Sequence, residues 1–115
     1  MAGLFIQGKS KVVNTTIQSE TKNATFAYNL LIHGNNCIIE NNIIKGKYKG
    51  KERLNLVGYQ IGGTMDKAIC LNNKVFMESV GDEIQGDRGA YIGENVKEAH
   101  LTNEHIHGGH SGLSI

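Results

Sequence analysis

The chain has 115 residues and a formal net charge of +1, from 12 Lys and Arg against 11 Asp and Glu. That length supports one domain with a modest core, and a hydrophobic share of 39% is in the globular range. A near-neutral balance argues against a general phosphate-backbone binder, and no apolar run approaches the roughly 20 residues of a membrane helix, so neither nucleic acid nor membrane is an expected partner.

The unusual counts are 15 Gly, 12 Asn and no Pro. Gly and Asn tolerate left-handed backbone, so a chain rich in both, with short β-branched runs between, predicts many tight corners. The segment Met1 to Lys11 lacks the basic head and apolar stretch of a signal peptide.

The first element is the apolar strand Leu4-Phe5-Ile6-Gln7-Gly8, followed by Val12-Val13-Asn14-Thr15-Thr16-Ile17. The same two-part unit returns as Leu30-Leu31-Ile32-His33-Gly34 and Ile38-Ile39-Glu40-Asn41-Asn42-Ile43-Ile44. Residues 47–55 are polar and read as a loop. Tyr59-Gln60-Ile61-Gly62-Gly63 and Ile69-Cys70-Leu71-Asn72-Asn73-Lys74-Val75 form the third unit, and residues 81–89 read as a second loop. The fourth unit is Ala90-Tyr91-Ile92-Gly93-Glu94 with His100-Leu101-Thr102-Asn103-Glu104-His105-Ile106. Gly112-Leu113-Ser114-Ile115 begins a fifth. No segment shows clean helical periodicity; the best candidate, residues 93–105, has no continuous apolar stripe.

Two columns drift together down these units. Ile6, Ile32, Ile61 and Ile92 are separated by 26, 29 and 31 residues, and Asn14, Asn41, Asn72 and Thr102 by 27, 31 and 30. A unit of this size cannot bury its apolar face alone, but stacked units bury it against one another. Alternation then points Leu4, Ile6, Leu30, Ile32, Ile61, Ile92, Leu113 and Ile115 inward. It points Phe5, Gln7, Leu31, His33, Gln60, Tyr91 and Ser114 outward. The Asn column marks a corner, where side-chain amides bond from unit to unit.

Cys37 and Cys70 sit in apolar runs without C-x-x-C spacing, so buried free thiols are expected rather than a disulfide scaffold or zinc site. The Asn14-Thr15-Thr16 and Asn23-Ala24-Thr25 glycosylation patterns carry no weight in a chain with 12 Asn.

The run from Leu31 to Gly46, and the join from His105 to Ile115, resemble coils of the right-handed parallel β-helix, or pectin-lyase-like, superfamily. The expected fold is therefore all-β, a right-handed parallel β-helix of about four to five coils, with residues 1–115 as a single domain. The chain stops inside its fifth unit, which suggests a fragment, a partner-capped chain or a trimer. The superfamily includes pectate lyases, polygalacturonases, alginate epimerases, and the tailspikes and appendages of bacteriophages. The resemblance implies a polysaccharide or cell-surface glycan as partner, a homo-oligomer, trimeric in the tailspike case, and an extracellular or virion-surface location.

Under that resemblance, Gln7, His33, Gln60 and Tyr91 are the expected substrate-binding strip, with Phe5 beside them. A lyase or epimerase needs a base and a carboxylate-neutralising group, and a hydrolase needs paired carboxyls. Asp82, Glu83 and Asp87 are the close acidic cluster, with Arg88 or Lys97 available to neutralise. Calcium held by the three acids is the one cofactor considered, and only for a lyase. The chain lacks the Asp-Pro-His-Asp run of alginate epimerases and the paired-Asp motifs of polygalacturonases, which turns the expectation toward recognition or a structural stalk. His100, His105, His107 and His110 with Glu104 match no metal signature, and none is expected to hold a metal.

Overall fold

The computed structural model describes residues 2–21, 26–48, 55–79, 88–108 and 111–115. Every regular element among them is a β-strand: β1 (Ala2–Gln7), β2 (Ser10–Val13), β3 (Thr16–Thr21), β4 (Phe26–His33), β5 (Asn36–Glu40), β6 (Ile43–Tyr48), β7 (Asn55–Gly62), β8 (Met65–Leu71), β9 (Lys74–Ser79), β10 (Arg88–Ile92), β11 (Val96–Thr102), β12 (His105–His107) and β13 (Ser111–Ser114).

The strands sort into three sheets: β1-β4-β7-β10-β13, β2-β5-β8-β11 and β3-β6-β9-β12. Every neighbouring pair is parallel. The chain visits the sheets in fixed rotation, so each circuit lays one strand on each sheet. The architecture is all-β, of three parallel sheets, and is compatible with a parallel β-helix.

Each sheet sends an aliphatic column inward, with like residues in register. In the first sheet Ile6 pairs with Ile32, Ile32 with Ile61, and Ile61 with Ile92. The second stacks Val12, Ile39, Cys70 and Leu101. The third stacks Ile17, Ile44, Val75 and Ile106. Most of these side chains join one buried core, with the outermost ones partly covered. Full burial of an aliphatic side chain stabilises by about 1.5–3 kcal/mol, so the columns are the main cohesive element.

Two expectations about elements change. The second apolar run of each unit is two strands rather than one, broken at Asn14, Asn41, Asn72 and Asn103 into β2/β3, β5/β6, β8/β9 and β11/β12. The loops expected at 47–55 and 81–89 are strand where they are described: Lys47 and Tyr48 close β6, Asn55 opens β7, and Arg88 and Gly89 open β10. The remainder of both ranges lies outside the described residues.

The inward and outward assignments hold along the middle of the first sheet and fail at three places, the first being Leu4, expected inward and 37% exposed on the outermost strand β1. Ile115 lies beyond β13 and is 85% exposed, and Leu113, although paired with Ala90, is 45% exposed on the last strand. At the start of the strands two successive residues are both buried: Asn29 with Leu30, Gly58 with Tyr59, Gly89 with Ala90. Strict alternation is lost there because the sheet bends toward the third sheet. Gly58 is needed at this bend, since a Cβ on it would run into the Gly89 carbonyl oxygen and stand 2.5 Å from Val75 Cγ1.

Candidate functional site: the first-sheet strip and the asparagine corner

The corner between the second and third sheets shows why the repeat carries Asn pairs. Asn14, Asn41, Asn72 and Asn103 have φ of 51, 56, 55 and 53°. The left-handed residue turns the chain, and Asn is the non-glycine residue best suited to it. Its backbone N–H stays paired: Asn14, Asn41 and Asn72 donate to the carbonyls of Glu40, Leu71 and Thr102, each at 3.0 Å.

The next residue faces inward, where its N–H meets no backbone carbonyl. The side chain one circuit on accepts that bond: Thr15 N–H donates to Asn42 Oδ1 at 3.0 Å, Asn42 N–H to Asn73 Oδ1 at 3.1 Å, and Asn73 N–H to Glu104 Oε2 at 2.7 Å. Each amide also donates backwards, Asn42 Nδ2 to Val12 O at 2.9 Å and Asn73 Nδ2 to Ile39 O at 3.0 Å. Asn42 and Asn73 are fully buried. The first Asn of each pair therefore sets backbone shape and the second satisfies buried groups. The fourth member of the shape column is Asn103 rather than Thr102, because Thr102 still belongs to β11.

Glu104 ends the described ladder. Its carboxylate accepts from Asn73 Nδ2 at 3.0 Å and from the buried Tyr59 hydroxyl at 2.8 Å. Burial, with Cys70 and Glu104 close by, drives the Tyr59 phenol far above its ordinary range. Burial likewise pushes the Cys37 thiol up to about 11 and raises Cys70 further. Both cysteines are buried and free, as expected, and are inert structural groups rather than nucleophiles.

The expected binding strip is brought together on the outer face of the first sheet. Phe5, Leu31, Gln60 and Tyr91 are register partners in one row, and Gln7, His33 and Gly62 in the next. The Phe5 ring, 49% exposed, meets His33 edge-on at 5.5 Å. The Arg88 guanidinium lies 4.8 Å over the Tyr91 ring. Arg88 is thus part of this strip, held as a cation–π partner. Asp82, Glu83 and Asp87, and with them the proposed calcium site, lie outside the described residues. Lys97 is remote from the strip and pairs with Asp66 at 3.0 Å.

The histidines do not form one cluster. His100 faces Glu98 at 2.6 Å on the second sheet, and the bond holds the Glu98 carboxyl below its usual range. His105 and His107 share an exposed face of β12, and His107 stacks on Phe76 at 5.1 Å with rings 7° from parallel. His110 lies outside the described residues. Among the described residues no group of three His, Cys, Asp or Glu stands close enough to hold a metal ion. No described helix is long and apolar enough to cross a membrane.

The third sheet holds two depressions that the sequence reading missed. One, of about 370 Å³, follows the corner past Asn41, Asn72, Asn103, Ile43, Lys74 and His105. The other, of about 230 Å³, lies over Gln18, Lys45, Lys47, Phe76 and Glu78. The signal was present: counting two and four residues on from each Asn pair aligns Ile43 with Lys74 and His105, and Lys45 with Phe76 and His107.

Comparison with known protein families, with curated proteins and with solved structures finds no match to this chain.

Proposed function

We propose that the three sheets close as a right-handed parallel β-helix of about four to five coils, and that this stack is a non-catalytic, carbohydrate-recognising segment of a surface protein of the phage tailspike or bacterial appendage kind. The handedness follows from the near-universal right-handedness of parallel crossover connections, which each circuit from β1 to β4 repeats. The observation that carries the function is the register of Phe5, Leu31, Gln60 and Tyr91 on consecutive strands, beside Gln7 and His33. Neighbouring strands lie about 4.8 Å apart, so the row offers apolar, amide and aromatic groups at a fixed repeat along a rigid face. A sugar chain laid along the stack meets one such group per strand.

A glycan array with immobilised bacterial surface polysaccharides tests the reading. Retention of at least one glycan is expected, with Tyr91→Ala and Gln60→Ala each weakening it several-fold while the fold is kept. Retention of none, or full retention by both variants, refutes it.

A trimeric structural stalk is the second reading. It is favoured by Ile38 and Ile69, half-buried register partners on the outer face of the second sheet, with Leu71 beside Ile69 and the row flanked by Lys11 and His100. A monomeric mass by light scattering removes it.

A further inference from the structure

The first and last described strands carry nearly the same tetrapeptide. Gly3-Leu4-Phe5-Ile6 in β1 and Gly112-Leu113-Ser114-Ile115 at β13 differ at one position. Leu4 pairs with Leu30 and Leu113 with Ala90, which is two circuits on in the same row, so both tetrapeptides meet the first sheet in one register. Both are lightly held, with Leu4, Leu113 and Ile115 exposed. The other two sheets are open at both ends. β2 and β3 have no strand before them among the described residues, and β11 and β12 have none after them. The open end shows at the corner. Asn72 N–H donates to Thr102 O at 3.0 Å and Asn73 N–H to Glu104 Oε2 at 2.7 Å, but the N–H groups of Asn103 and Glu104 have no acceptor among the described residues.

Continuing the register by one circuit fits the beginning of a second copy to this end. Its Val12 falls on Leu101 and its Ile17 on Ile106, both half-buried in the single chain. Its Val13 carbonyl and Thr15 side chain take the places that Thr102 O and Glu104 Oε2 hold for Asn72 and Asn73. Its Lys9 enters the row of Asn36, Lys67 and Glu98, where a cation meets a carboxylate. On the first sheet alone the place is taken, because β13 occupies the edge of β10 that the incoming β1 needs.

We propose that a second copy of this chain docks end to end, its β1, β2 and β3 adding to β10, β11 and β12, and that β13 is a placeholder which the incoming β1 displaces. The exchange on the first sheet is nearly even, since one tetrapeptide replaces its near-copy. The gain comes from the second and third sheets, where unpaired edges become ladders. The contact is heterologous, so each added copy presents a new open end and a linear series forms rather than a closed ring. This rests on the strand register and is independent of the carbohydrate reading.

Lys11 and His100 test the join. They are exposed and lie three strands apart within one chain, about 14 Å and beyond the reach of a disulfide, but are register neighbours across the join. The full chain with Lys11→Cys and His100→Cys is expected to give disulfide-linked dimers and longer multimers on mild oxidation. Val13→Cys with His100→Cys, displaced by two residues, is expected to stay unlinked. Light scattering of the parent chain is expected to show a mass that rises with concentration. Leu4→Asp, on the entering strand, is expected to hold the mass at the monomer with native circular dichroism. Leu113→Asp, at the same place in the displaced strand, is expected to lower the concentration of half-association about five- to tenfold. A monomer at every concentration, equal linking of the aligned and displaced pairs, or weaker association with Leu113→Asp overturns the proposal. A fixed trimer that never forms the Lys11–His100 link overturns it also and leaves the stalk reading standing.

Discussion

Asn72 and Asn73 are adjacent, chemically identical and predicted to respond very differently to substitution. The Asn73 amide makes four hydrogen bonds: it accepts from Asn42 N–H and Asn42 Nδ2 and donates to Ile39 O and Glu104 Oε1. Asn73→Ala strands the Asn42 N–H and the Ile39 carbonyl in a dry interior. Each buried backbone group left unpaired costs about 1–3 kcal/mol, which places the loss at about 4 kcal/mol. Asn72 has no such duties, and its side chain is exposed; its contribution is a φ of 55°. Glycine takes that conformation without strain but raises the entropy of the unfolded chain, so Asn72→Gly is expected within about 0.5 kcal/mol of the parent. Urea denaturation by circular dichroism reads both, with an unchanged slope and a large midpoint shift for Asn73→Ala alone. Asn73→Ala within about 1 kcal/mol of the parent, or Asn72→Gly as costly as Asn73→Ala, refutes the division of labour at the corner.

Gly58→Ala should cost about 2–3 kcal/mol in the same assay, because its Cβ runs into the Gly89 carbonyl oxygen and falls 2.5 Å from Val75 Cγ1, and adding Val75→Ala should not restore the parent midpoint, since the backbone clash remains. Cys37 and Cys70 should resist a thiol reagent at pH 8 in the native protein and react at once in urea. The folded state raises both thiols and so binds their protons more tightly than the unfolded chain. Stability should therefore decline as pH climbs from the ordinary thiol value of 9.0 toward the folded Cys37 value of about 11, read as a falling urea midpoint.

The legible part of the fold was the part built from repetition of kind. An Ile at the same place in four units and an Asn at the corner after each second strand, doubled at Asn41-Asn42 and Asn72-Asn73, are visible without coordinates, because burial and left-handed φ each demand particular residue types. The hidden part was geometry that residue type does not encode. Val12 to Ile17 reads as one extended run, since a single left-handed Asn splits a strand without any Gly or Pro to mark it. The last corner was misplaced by one because Glu104 replaces the second Asn: a carboxylate accepts the Asn73 bonds as an amide does, but spells a different motif. The consecutive buried pairs at Asn29-Leu30 and Gly58-Tyr59 break the two-residue period at a bend, and period-two reasoning has no means of locating a bend.

The candidate sites divide the same way. Gln7, His33, Gln60 and Tyr91 fall on one face of the first sheet, as the alignment of the first strands implied, and Arg88 joins them through the Tyr91 ring. The third-sheet surface of Lys45, Lys74, Phe76, His105 and His107 was missed because its strands had not been separated from those before the corner.

Every functional statement depends on consecutive circuits lying in parallel register. Paired cysteines test this directly. Gln18 and Lys45 are register partners on exposed faces of β3 and β6, at a strand spacing of about 4.8 Å that lies inside the range for a disulfide. Gln18→Cys with Lys45→Cys should oxidise to an intramolecular disulfide with native circular dichroism. Gln18→Cys with Lys47→Cys, displaced by two residues, should remain reduced. A displaced pair that closes as readily as the aligned pair contradicts the register, and the proposed binding faces with it.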